Sequence, residues 1–136
     1  MYADATQIAA DKSRQELDEI SGIIIGAAQR VQSAMGIGFL ERVYENALCL
    51  ELEIPKLRVE QQKPVRVYYK TSVVGEYVTD LIVQQAIVVE VKAVEALDWS
   101  HRAQCINYLR ATGHRVGLLL NFGRPRLEFR RFVNGY

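Results

Sequence analysis

Apolar residues at Ile20, Ile24, Ala27, Val31 and Met35 recur at steps of three and four, which predicts a long amphipathic helix from about Thr6 to Met35. Gly36 and Gly38 punctuate it. A second helix is predicted from about Phe39 to Leu52, with Leu40, Val43, Ala47 and Leu50 at helical spacing and Pro55 just beyond its end. The period then changes. Val59, Val65, Val67 and Tyr69 lead into Tyr77–Val83 and Ala86–Val94, stretches rich in the β-branched and aromatic residues of sheet strands. Asp98 or Ser100 is placed to cap a third helix that runs to about Ala111 and is closed by Gly113. Val116 to Phe122 is a continuous apolar run, as in a central strand covered on both faces, and Leu127 to Val133 forms a last strand interleaved with arginines. The order helix, helix, three strands, helix, two strands describes one mixed α/β domain over residues 1–136, with no repeat and no linker.

Three charges interrupt the middle strands, Asp80, Glu90 and Lys92 in TDLIVQQAIVVEVK. A charge in an apolar setting costs several kcal/mol unless it is paired or holds a metal. If Gln84-Gln85-Ala86 forms a three-residue turn, Val83 pairs with Ile87, Ile82 with Val88, and Asp80 falls opposite Glu90. Cross-strand partners emerge on one face, and Lys92 joins them because strand side chains alternate. Two carboxylates and an ammonium then share one patch. Such a pair holds a proton, pairs with a cation or binds a metal. Oxygen donors with open positions suit Mg²⁺ or Mn²⁺, which can activate water and stabilise charge on a phosphoryl oxygen. The alternative is a partly exposed salt-bridge cluster.

Composition narrows the classes. At 136 residues, 49% hydrophobic and 24% charged, the chain has the profile of an ordinary globular domain. No apolar run approaches the roughly 18 residues of a bilayer span, and the opening residues lack a signal core, so a cytoplasmic protein without a membrane span is expected. Cys49 and Cys105 are too few for a disulfide framework or a zinc site and are expected to be reduced. The net charge of +1 divides into −4 over residues 1–60 (six Lys/Arg, ten Asp/Glu) and +5 over residues 61–136 (eleven against six). A basic second half is compatible with a nucleic-acid partner. Arg124, Arg126, Arg130 and Arg131 either track phosphates near the last strand or guard a sheet edge, and His101 is a substrate contact or a cap-region residue. Gly36-Ile37-Gly38 follows a helix and lacks a third glycine, so it is not a phosphate cradle.

Two helical stripes complete the pattern. His101, Gln104 and Tyr108 share a face of the third helix, with Ala103 and Ile106 expected on the sheet, and Gly38, Glu41 and Tyr44 share a face of the second. Asp80 followed by Glu90-Val91-Lys92 resembles the core of the PD-(D/E)XK nuclease superfamily, and Gln104 to Tyr108 is similar to the Q-x-x-x-Y element of RecB-like members. Gly38-Phe-Leu-Glu41-Arg-Val-Tyr44 matches the signature of the small bacterial GxxExxY proteins, over about residues 17 to 133. Thr79 stands where the superfamily name has proline. The resemblance implies a restriction-endonuclease-like α/β fold, a mixed central sheet flanked by helices. It also implies a Mg²⁺- or Mn²⁺-dependent nuclease in which Asp80, Glu90 and Glu41 ligate the metal. Lys92 is then the catalytic lysine, and Gln104 and Tyr108 steady substrate or metal water. DNA or RNA is the implied partner, with a homo-oligomer or a protein partner alongside. The rival class is a non-catalytic nucleic-acid-binding or protein-interaction module that keeps the core.

Overall fold

A computed structural model describes residues 12–134. The long first helix, α1, spans Arg14–Met35. Its expected start near Thr6 lies outside the described residues. Within them Ser13 sets the boundary: its hydroxyl accepts the Glu16 N–H at 3.1 Å, and the Glu16 carboxylate accepts the Ser13 N–H at 3.3 Å. Helix α2 spans Glu41–Glu53. The face it buries is Tyr44, Glu45, Leu48 and Leu52, whereas Leu40, Val43 and Leu50, whose spacing announced the helix, are exposed.

Strands β1 (Val59–Tyr69), β2 (Ser72–Val83), β3 (Ile87–Lys92), β4 (Val116–Asn121) and β5 (Glu128–Val133) form one sheet in chain order. All neighbours are antiparallel except β3 and β4, and the parallel step requires a crossover, which helix α3 (Trp99–Thr112) supplies. β2 starts five residues earlier than Tyr77 because Val73 and Ser72 pair with Tyr68 and Tyr69. The three-residue turn holds. Gln84 and Gln85 have φ of 55° and 52°, Ala86 N–H donates to Val83 O, and the register runs Val83–Ile87, Ile82–Val88, Leu81–Val89.

One sheet face, with Leu81, Val89, Val91, Leu118 and Leu120, packs on Leu17, Ile24, Tyr44, Leu48 and Leu52 of α1 and α2. The other carries Val88 against Tyr108, Leu109 and Phe132. α3 seats closely there because Gly117 has no side chain: a Cβ would lie 3.0 Å from Cys105 Sγ and 3.2 Å from Leu109. Asn121 closes the far end. Its Oδ1 accepts from Val94 and Gly123 N–H, and its Nδ2 donates to Val94 O and Glu128 Oε1. The chain just after Lys92 is thereby fixed. Asp98 caps α3, and Gly113 ends it at φ 76°.

Candidate active site

The site stands where β2 and β3 stop pairing. Beyond the Leu81–Val89 rung, the Asp80 carboxylate turns inward and its Oδ2 accepts the Val91 N–H at 2.8 Å. Glu90, next to Val91 in the chain, is only 4% exposed. Its Oε1 is buried with no hydrogen-bond partner. Burial first, and the neighbouring Asp80 charge second, push the Glu90 carboxyl up to about 9. Asp80 is raised too, mainly by burial, with the Val91 N–H pulling the other way. The spacing of the hairpin therefore does bring the two acids together.

Lys92 lies beside them, and its charge draws both carboxyls downward without cancelling the burial. Its Nζ donates to Gln104 Oε1 at 3.1 Å, so strand and helix hold the ammonium between them. Tyr108, one turn further along α3, is 5% exposed. Its hydroxyl is pushed up to about 12 by burial and then by Glu90 and Asp80, and its ring meets Tyr77 edge-on at 5.5 Å. Gln104 and Tyr108 thus face the carboxylates as their spacing predicts. The companion expectation fails in detail. Cys105 and Leu109 are buried toward Gly117, while Ala103 and Ile106 are only half-buried, so the helix is rotated from the expected setting.

From the opposite side α2 brings two acids to an open cleft of about 480 Å³ lined by Phe39, Leu40, Glu41, Arg42, Glu45, Gln62, Asp80 and Ala93. Glu41 is exposed on its wall and adds to the negative potential at Asp80. Glu45 is 2% exposed, accepts hydrogen bonds from Gln61 and Gln62, and pairs with Arg42 at 3.6 Å. Gln62 reaches Asp80 Oδ1 at 3.4 Å from a left-handed backbone, φ 54°. Sequence reasoning passed over both residues. Glu45 was findable, one helical turn after Glu41. Gln62 carries no signal of its own. Tyr44 serves packing: it stacks on Phe122 at 4.8 Å, and its hydroxyl donates to Gly36 O and accepts from Phe39 N–H.

The remaining candidates divide. His101 Nδ1 accepts the Asp98 N–H at 3.1 Å as part of the α3 cap. Arg130 shares a cross-strand row with Leu119 and Glu90, hence their face, and pairs with Glu128 at 3.7 Å. Arg131 lies on the other face, against Asp18 of α1. Arg126 is exposed in the β4–β5 loop, and Arg124 donates to Glu95 O.

The donor set fits a hard divalent cation. A buried carboxylate oxygen lacking a partner, next to a second carboxylate, is a pair short of positive charge, and Lys92 is shared with Gln104. The fit is with two carboxylates only. Among the described residues no three His, Cys, Asp or Glu side chains gather as a metal cluster, and Glu41 stays apart on the cleft wall.

Three comparisons bear on this arrangement. A family model described as the PD-(D/E)XK nuclease superfamily matches residues 18–132. Among solved structures, the crystal structure of SSO0001 is similar in fold, with a TM-score of 0.56 at 16% identity, covering 100% of this chain and 68% of that one. Comparison with curated proteins finds no match.

Proposed function

The chain belongs to the PD-(D/E)XK nuclease superfamily, and on that premise we propose that it hydrolyses phosphodiester bonds of nucleic acid with Mg²⁺ or Mn²⁺ held by Asp80 and Glu90. The observation that carries the reading is the partnerless, buried Glu90 Oε1 beside the Asp80 carboxylate. Within the superfamily, Gly38, Glu41 and Tyr44 favour the GxxExxY group.

The cation, when bound, supplies charge to a phosphoryl oxygen and acidity to a water. The chain supplies the rest. Lys92, steadied by Gln104, orients the attacking water and donates to a non-bridging phosphate oxygen. Tyr108, whose raised hydroxyl stays protonated at neutral pH, donates a further hydrogen bond beside the acids. Glu41 contributes negative charge from the cleft wall, while Glu45 and Gln62 hold Asp80 in place. Arg126 and Arg130 are assigned to the phosphate backbone, with Arg130 on the Glu90 face. His101 and Arg131 are engaged in the α3 cap and on α1, which argues for a smaller share.

The test is single-turnover cleavage of labelled duplex DNA, single-stranded DNA and RNA with Mg²⁺ or Mn²⁺. Asp80→Asn should abolish cleavage. Lys92→Ala should keep metal binding and lose on the order of 10²-fold or more in rate. A parent that cuts nothing, together with an Asp80→Asn variant that binds nucleic acid more tightly, would transfer the fold to the binding-module class.

A further inference from the structure

Helix α2 has two apolar faces. Tyr44, Leu48 and Leu52 are buried in the core. A second stripe, Leu40, Val43, Ala47, Leu50 and Ile54, runs from the N-cap to the C-cap at steps of three, four, three and four. Leu40 is 79% exposed, Leu50 65%, Ile54 74% and Val43 36%, with Ala47 at the centre half-buried where its inner side also packs against the core. Alternating steps of this kind define the seam of a two-helix coiled coil. Scattered exposed leucines are ordinary, but a continuous seam along a whole helix marks an interaction surface.

We infer that this stripe is a self-association surface, on which α2 of a second copy packs antiparallel about a two-fold axis near Ala47. The stripe is self-complementary when reversed. In antiparallel packing the two alternating positions of the seam face each other, so Ile54 of the second copy meets Val43 beside Leu40 and Leu50 meets Ala47, the small residue letting the helix axes approach to about 8–10 Å. A two-fold interface requires such a match of a patch with itself.

Charge selects the orientation. Arg42, Asn46 and Glu53 occupy one flank of the stripe, and Glu51 lies on the other, where it already pairs with Arg30 of α1. Antiparallel packing sets like flanks together, so Arg42, whose guanidinium also pairs with Glu45 at 3.6 Å, comes within reach of Glu53 of the second copy, twice. Parallel packing sets unlike flanks together, placing Asn46 rather than Arg42 beside Glu51 and leaving no opposite-charge pair, and it aligns the helix dipoles unfavourably. A helix of 13 residues is about 20 Å long, so the interface is small and the dimer belongs to the weak, transient class. Leu40 also lines the cleft, so Ile54 of the second copy would reach the cleft mouth.

Sedimentation equilibrium from about 1 to 200 µM tests this by mass alone, whether or not the protein cleaves nucleic acid. The full chain should move from 15.5 kDa toward twice that mass. Leu50→Glu, at an exposed position that leaves the core intact, should weaken association at least tenfold with an unchanged circular dichroism spectrum. Glu53→Arg should weaken it as well, and adding Arg42→Glu should restore it. A monomer at every concentration, which would leave the stripe to a different protein, overturns the inference. So does a dimer indifferent to Leu50→Glu, and a double charge reversal that fails to restore association overturns the antiparallel arrangement.

Discussion

A buried carboxylate oxygen without a donor, as at Glu90, costs free energy that only a proton or a cation recovers. That cost was legible beforehand, because two acids ten residues apart across a three-residue turn must meet on one face. Gln62 was not legible: its left-handed backbone and its reach to Asp80 depend on how β1 lies against β2. A second buried titratable group stands outside the site. His114 is 2% exposed, its Nδ1 has no partner, and burial drops it from 6.5 to about 4. Between those values the unfolded chain binds a proton that the folded chain refuses, so stability rises with pH there and is lost as pH falls from 6.5 toward 4. The slope should approach about 1.4 kcal/mol per pH unit at most. Glu90, raised to about 9, acts in the opposite sense over this range, so the comparison between proteins isolates His114: in urea denaturation at pH 7 and pH 5, His114→Gln should lose less stability on acidification than the parent, and a variant with the parental pH dependence would acquit His114.

The third helix and the central strand were readable because their boundaries are local: Asp98 and Gly113 cap and close α3, and the apolar run at Val116 marks the strand, whereas the Ser13 cap of α1 was not singled out. α2 was found from the wrong face, since a helix with two apolar stripes gives one period but does not say which stripe meets the sheet. The setting of α3 depended on a single glycine opposite it. Two glycines accordingly predict different outcomes at this scale. At Gly117 an added Cβ meets side-chain atoms at 3.0–3.2 Å, which can give slightly, so Gly117→Ala should cost about 1–3 kcal/mol. At Gly123 it would lie 2.2 Å from Val94 O and 2.4 Å from Val94 N, both backbone, so Gly123→Ala should cost more and displace the segment after Lys92. Thermal denaturation of both variants checks the order; equal melting temperatures would contradict the close backbone contact of Gly123 with Val94 as a constraint on the chain after Lys92.

For the whole molecule, the order of elements settled the mixed sheet, and α3 had to be the crossover because only β3 and β4 run parallel. No helix among the described residues is long and apolar enough to cross a membrane. The charge asymmetry along the chain did not become a single basic face. Arg130 and Arg131 part to opposite sides of the sheet, because neighbouring strand residues must. What the fold does bring near one another is acidic side chains from elements distant in sequence, Asp80 beside Glu90 on the sheet and Glu41 and Glu45 of α2 along the cleft that Asp80 also lines. Calorimetric titration of Mn²⁺ into the parent and into Asp80→Asn, followed by melting of each with and without the ion, tests that arrangement most directly. The parent should bind in a saturable step and gain about 2.7 kcal/mol at a hundredfold excess over Kd. Asp80→Asn should melt no lower than the parent without metal and gain nothing from Mn²⁺. No binding by the parent, or the same gain in both proteins, would contradict the assignment of Asp80 and Glu90 as the metal-holding pair.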